Sequence, residues 1–223
     1  MVPLVVGAVW RLGVLVVDKW HQPLLLNDSL YYSAQARQLV DGVWFREIFV
    51  DQPGAEHGPL TSTLMAPISW MDHPVPWQRL LTVVCGIATV AVLGMLAGRL
   101  AGRRAGVVAA WIAAVYPNLW MNDGLVMSES VSVLCVSALL LLAHRALEQR
   151  DRRSFALAGL AVGLGALARS ELAIVAPALA LLTWWAMRRR EPSGGERDGR
   201  REPLVAAAIV LLTFVATISP WVV

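Results

Sequence analysis

Charge is what this sequence has least of. Asp, Glu, Lys and Arg make up 16% of its 223 residues, against about 25% in an ordinary soluble domain. That shortage excludes a small soluble enzyme and a disordered chain. Cysteine is scarce too. Cys85 and Cys135 both lie inside apolar stretches, with no CxxC and no Cys/His cluster at zinc spacing. This excludes a disulfide scaffold and gives no metal signature; a lone thiol in a lipid-embedded helix behaves as a small apolar residue. The first apolar block has no basic segment before it and no A-x-A site after it, so it does not read as a cleaved signal peptide. What the sequence has instead is 57% apolar residues and a mean hydropathy of +0.58. These residues collect in long blocks, the mark of a polytopic membrane protein.

A helix needs about 20 residues to cross about 30 Å of hydrocarbon. Apolar blocks of roughly that size run over 2–17, 80–100, 105–121, 125–143 and 204–222. The stretch 155–187 is too long for one crossing and is interrupted by Arg169, Ser170 and Glu171. It reads as a hairpin of 155–168 and 172–187. The spacing thus predicts an all-α transmembrane bundle of about seven spans, one module over 1–223.

Arginine sets the orientation. With the N-terminus inside, the inner connections 99–104, 144–154 and 188–203 hold 13 of the 19 Lys and Arg residues, as the positive-inside rule requires. The net charge of +3 is therefore a topology signal and not a nucleic-acid footprint. Ten of the 16 acids fall outside. Trp20, Trp70, Trp77, Trp120 and Trp221 mark outer boundaries, and Trp184 and Trp185 an inner one, as an aromatic belt does. This places the chain in the plasma membrane as a multi-pass protein with a cytoplasmic N-terminus.

The connection 18–78 is too long to be a mere loop and is expected to lie outside the cell. Asn27-Asp28-Ser29 opens a predicted helix that runs to Val40. Tyr32, Ala36, Leu39 and Val40 form one stripe, Gly42 stands where the helix should end, and the stripe predicts a helix lying flat on the outer leaflet. Asp28 reads as an N-cap or as a carboxylate placed to act as a base. In Glu56-His57-Gly58-Pro59-Leu60, Pro59 can begin a helix. The following 60–71 suits an interfacial or re-entrant segment. His57 is either a surface histidine or a group near an anion at that helix start. Glu129 opens the fourth span, where a helix dipole favours an acid. Arg169 and Glu171 turn the hairpin, as a solvated pair or as groups facing a cavity. Asp28, His57, Glu129, Arg169 and Glu171 all fall on the same predicted membrane side, which points to an outward-facing cavity.

The ordered set resembles a known superfamily. It comprises Asn27-Asp28-Ser29-Leu30-Tyr31-Tyr32 with Ala36 and Gly42, then His57-Gly58-Pro59-Leu60 and Gly98-x-x-x-Gly102. Tyr116-Pro117, Met127-Ser128-Glu129 and Arg169-Ser170-Glu171 follow. This is similar to the GT-C membrane glycosyltransferases of family 39, the branch of dolichyl-phosphate-mannose protein mannosyltransferases and aminoarabinose lipid A transferases. The resemblance covers nearly the whole chain.

It implies transfer of a sugar from a polyprenyl phosphate to an acceptor hydroxyl at the outer face, with inversion. Asp28 maps to the family's first-loop Asp, the general base; inversion needs a carboxylate opposite the leaving group. His57 or Arg169 would meet the phosphate, Arg169 the better candidate because its fork matches phosphate oxygens, and Tyr32, Glu129 and Glu171 complete the expected substrate-binding set. The implied partners are the lipid-linked donor, a protein or cell-envelope acceptor, and membrane lipids. A divalent metal is compatible with the outer acids, but no ligand spacing demands one.

The sequence also departs from the pattern. It has His57-Gly58-Pro59 where the family often shows two prolines, and a single Asp28 where many members carry an acidic pair. Family enzymes have more spans after the seventh, so the chain reads as an N-terminal part, a fragment or one half of a split enzyme completed by a second chain. Two competing readings remain: a non-catalytic subunit binding lipid-linked sugar, and a transporter. A transporter more often shows midplane charges and internal repeats, and neither is seen here.

Overall fold

The computed structural model describes all residues except 25, 26, 51, 53, 55, 190–201 and 223. Most of the predicted basic connection 188–203 therefore lies outside the described residues. Among those described, the chain is all helix and turn, without strand. It divides into two units, Met1–Ser137 and Ala138–Val223.

In the first unit, α1 (Val2–Val14) starts with Pro3 in its first turn, where a missing N–H costs nothing, and continues into one π-turn over Leu15–Lys19. The loop helices are α2 (Asn27–Val40) and α3 (Pro59–Met65). Then α4 covers Val75–Val115. As one straight rod its 41 residues would span about 60 Å, but it is not straight. Ala101 and Gly102 leave helical geometry, Gly102 at φ 84° and ψ 171°, a region open essentially to glycine alone. The chain reverses there. Gly94 on the first limb meets Ala110 on the second, and Gly98 meets Gly106. The break predicted between two spans at 100–105 is this turn.

The second limb ends earlier than the apolar block does. Tyr116 is extended (φ −66°, ψ 118°) because Pro117 follows it. A four-residue helix α5 (Pro117–Trp120) follows, and α6 (Glu129–Gln149) begins four residues after the block's own start. The predicted segment 60–71 is also shortened: α3 stops at Met65, and a 3-10 turn containing Pro67 covers Ala66–Ile68. Tyr32 and Ala36 of the α2 stripe do not face outward. They are buried against Met65 and Val126.

In the second unit, α7 (Arg152–Ala168) breaks at Arg169 as the sequence indicated. A 3-10 turn over Ser170–Ile174 leads to α8 (Val175–Arg188), and α9 covers Glu202–Val222. α9 packs along α7 and α8 around Phe155, Ala158, Val162, Ala176, Ala180 and Val210.

Large apolar side chains face outward, among them Val84, Met95, Ile112, Leu181 and Leu212, while Gln35, Thr61, Gln78, Thr82 and Thr183 are buried. That is the reverse of a water-soluble domain and suits lipid as the solvent. Thr89, Thr213 and Thr217 return their hydroxyls to carbonyls one turn back, which satisfies them inside apolar helices. Among the described residues, four helices are long and apolar enough to cross a membrane: Val75–Val115, Glu129–Gln149, Ser170–Arg188 and Glu202–Trp221.

Candidate functional site

α2 and the segment before α3 bring three of the candidate residues together. Asp28 lies in the first turn of α2, not at its cap, since the helix already includes Asn27. Its carboxylate is half exposed and sits 3.7 Å from His57 Nε2, in ion-pair rather than hydrogen-bond range. The His57 ring is sandwiched. It stacks on Tyr32 at 5.1 Å and 29°, and meets Tyr31 edge-on at 4.8 Å. Tyr32 belongs to the buried cluster with Ala36 and Met65, so the platform under the histidine is rigid.

Tyr31 does the positioning. It is buried, and its hydroxyl accepts the Glu56 backbone N–H at 2.8 Å and a Gln35 side-chain N–H at 3.1 Å. Burial pushes the phenol above its ordinary value, so it remains an uncharged O–H. The amide it holds belongs to the residue before His57. Pro59 then starts α3 without an orphaned donor. The result is a half-exposed carboxylate beside a ring nitrogen on an aromatic floor.

Glu129 stands in a second crevice of the same unit. It begins α6 and shares that crevice with Arg11, Asp123, Ser130, Asn118 and Asn122. The centre is a buried ion pair. Arg11 Nε donates to Asp123 Oδ2 at 2.6 Å, with both side chains 1% exposed. Ser130 Oγ–H donates to Asp123 Oδ1 at 2.6 Å.

The rest of the Arg11 guanidinium closes a helix end. Pro117 has no N–H to give the carbonyl of Ala113, and Arg11 Nη2 takes it at 3.1 Å; Nη1 takes the carbonyl of Ala114 at 2.9 Å. Lys19 Nζ donates to the carbonyls of Met121 and Asp123 at 2.8 and 2.7 Å. The Gly124 N–H donates to Thr82 Oγ1 at 3.0 Å, and Arg79 donates to the Lys19 carbonyl. Burial raises the Asp123 carboxyl, against the Ser130 and Arg11 hydrogen bonds and the Arg11 and Lys19 charges. Gly86 makes room for it, since a Cβ there would collide with the Asp123 carboxylate.

This clamp was not singled out from sequence. The signal existed in Arg11 itself, an ionisable residue inside an apolar block, but its partner lies 112 positions away.

Arg169 and Glu171 lie in the second unit. They approach each other to 3.9 Å, with side chains 45% and 73% exposed. Among the described residues no group of three or more His, Cys, Asp or Glu is gathered at metal-binding distance.

The family model for dolichyl-phosphate-mannose-protein mannosyltransferase matches residues 64–221. Glu129, Arg169 and Glu171 fall within the matched segment, and Asp28, Tyr32 and His57 precede it. No curated protein and no solved structure matches the chain.

Proposed function

Because the chain belongs to the dolichyl-phosphate-mannose-protein mannosyltransferase family, membrane glycosyltransferases of the GT-C type, we propose that it moves a sugar from a polyprenyl-phosphate donor to a hydroxyl acceptor, with inversion, on the extracytoplasmic side of the plasma membrane. Seven spans with a cytoplasmic N-terminus are part of this reading. The arginine bias supports them, because it places 18–78 outside.

The observation that carries the mechanism is the Asp28–His57–Tyr32 cluster. Asp28 is half exposed, so an acceptor hydroxyl can reach it. It takes the hydroxyl proton while the acceptor oxygen forms its bond to the anomeric carbon. The bond from that carbon to the phosphate oxygen breaks, and the phosphate keeps the electron pair. Inversion requires the base and the leaving group on opposite faces of the sugar.

A polyprenyl phosphate needs charge stabilisation more than it needs a strong acid. His57 Nε2 lies 3.7 Å from Asp28, on the base's side of the sugar, and holds that carboxylate from its fixed position on Tyr32. Glu129 stands at the start of α6 beside the Arg11–Asp123 pair and is partly buried. Arg169 and Glu171 carry no step in this reading.

The test uses the purified full chain in proteoliposomes with polyprenyl-phosphate mannose, radiolabelled in the sugar, and a threonine-rich peptide. Asp28→Asn should lower turnover by about 10²–10⁴, the worth of a general base, while donor binding is retained. Equal turnover in both proteins removes Asp28 as base. Binding without turnover in the wild type favours a lipid-sugar-binding subunit.

A further inference from the structure

At one end of the second unit, the first turns of α7 and α9 and the last turn of α8 border a groove of about 350 Å³. Its rim carries Arg150, Arg152 and Glu202, and its wall is apolar, with Phe155, Met187, Val205 and Ile209. Val205 and Ile209 are one helical turn apart, so the wall continues along α9 in the direction of the hydrocarbon.

Three observations bear on what enters. First, aromatic and basic side chains cluster beside the rim. Trp184 and Trp185 sit in the last turns of α8, with Arg188 at 4.5 Å and Arg189 at 3.9 Å over their rings, the arrangement of an interfacial belt. Second, Arg150 and Arg152 make no ion pair among the described residues. The nearest carboxylate in sequence, Asp151, is turned into α7, accepting the Ser154 N–H at 2.8 Å and Oγ–H at 2.9 Å. Third, Arg150 is held at φ 55°, a left-handed conformation that helix ends usually give to glycine. The chain spends that conformation on a guanidinium.

We propose that this groove binds one anionic phospholipid, its phosphate between Arg150 and Arg152 and part of one acyl chain along Phe155, Val205 and Ile209. The volume falls at the lower end of the range for ligand sites, about 300–1,000 Å³, enough for a headgroup and the start of one chain. Among the residues that line the groove, two arginines stand against one Glu202, and Asp151 between them is engaged at the α7 N-terminus. Basic pockets between membrane helices select such lipids. The site uses none of the residues assigned to sugar transfer, so it stands or falls separately.

Native mass spectrometry of the full chain, titrated with phosphatidylglycerol or phosphatidylcholine, tests this. The wild type should retain one phosphatidylglycerol in preference to phosphatidylcholine. Arg150→Gln/Arg152→Gln should weaken that retention by about tenfold or more, since each near-surface arginine is worth roughly a fivefold preference for an anionic lipid. Val205→Trp, at an exposed wall position, should weaken it with the rim charge intact. Arg99→Gln/Arg103→Gln, which removes equal charge elsewhere, should leave it unchanged. Equal retention of the two lipids by the wild type overturns the site. So does an unchanged preference in the 150/152 variant, or equal loss in the 99/103 variant. Full displacement by equimolar glycerol 3-phosphate overturns the acyl part.

Discussion

A single arginine decides much of the first unit. Arg11 is 2% exposed within an apolar helix, which is tolerable only because each face of its guanidinium is used. Asp123 balances its charge, and the carbonyls of Ala113 and Ala114 take the remaining donors. Replacing Arg11 with Met leaves a buried carboxylate without its cation, a loss of about 3–5 kcal/mol. Joint replacement by Arg11→Met and Asp123→Leu should recover the part due to the unpaired charge, and not the part due to the Ala113 and Ala114 carbonyls that lose their donor. Chemical denaturation in detergent, read by tryptophan emission, checks both. A double variant as unstable as the single one would show that the ion pair is not the source. Gly86→Ala drives a methyl into Asp123 and should destabilise comparably. Sequence alone shows that a charge in an apolar block needs a partner, but not which one. The candidates Asp28, Tyr32 and His57 were legible because they sit in short polar motifs, and their meeting depends on Tyr31, whose side chain no spacing rule marks out.

At the scale of elements, the helix boundaries were legible where backbone chemistry is decisive. Pro59 begins α3, Gly42 at φ 78° follows the end of α2, and Arg169 ends α7. They were misread where apolar composition runs past a proline. The block to Met121 continues beyond Tyr116, yet the missing N–H of Pro117 stops the helix. The outer stripe of α2 was read as lipid-facing because periodicity reports that a face is apolar, not what covers it; Met65 and Val126 do.

Gly102→Ala places a Cβ in a glycine-only conformation and should cost about 1–3 kcal/mol, seen as a lower thermal midpoint in detergent. An unchanged midpoint would mean the reversal tolerates other conformations. Asp151 caps α7, and the Ser154 N–H and hydroxyl hold its carboxyl below the ordinary carboxylate value. Its contribution to stability is therefore complete above the ordinary value and is lost as pH falls through the folded one. Asp151→Asn should lower the midpoint at neutral pH and flatten its acid dependence. A parallel acid profile in both proteins would contradict this.

For the whole molecule, the solvent is legible from composition, while the direction of the chain rests on the arginine bias alone. Exposed Val, Leu and Ile over buried Thr, Ser and Gln agree with lipid on the outside. The account centres on sugar transfer at the extracytoplasmic face.

Sealed vesicles of known orientation give the most direct measurement. They carry labelled polyprenyl-phosphate mannose in both leaflets and a membrane-impermeant threonine-rich peptide on one side only. Labelled peptide should form when the peptide faces residues 18–78, and should fall to background when it faces the arginine-rich connections. Transfer from the arginine-rich side, or equal transfer from both, would contradict the account.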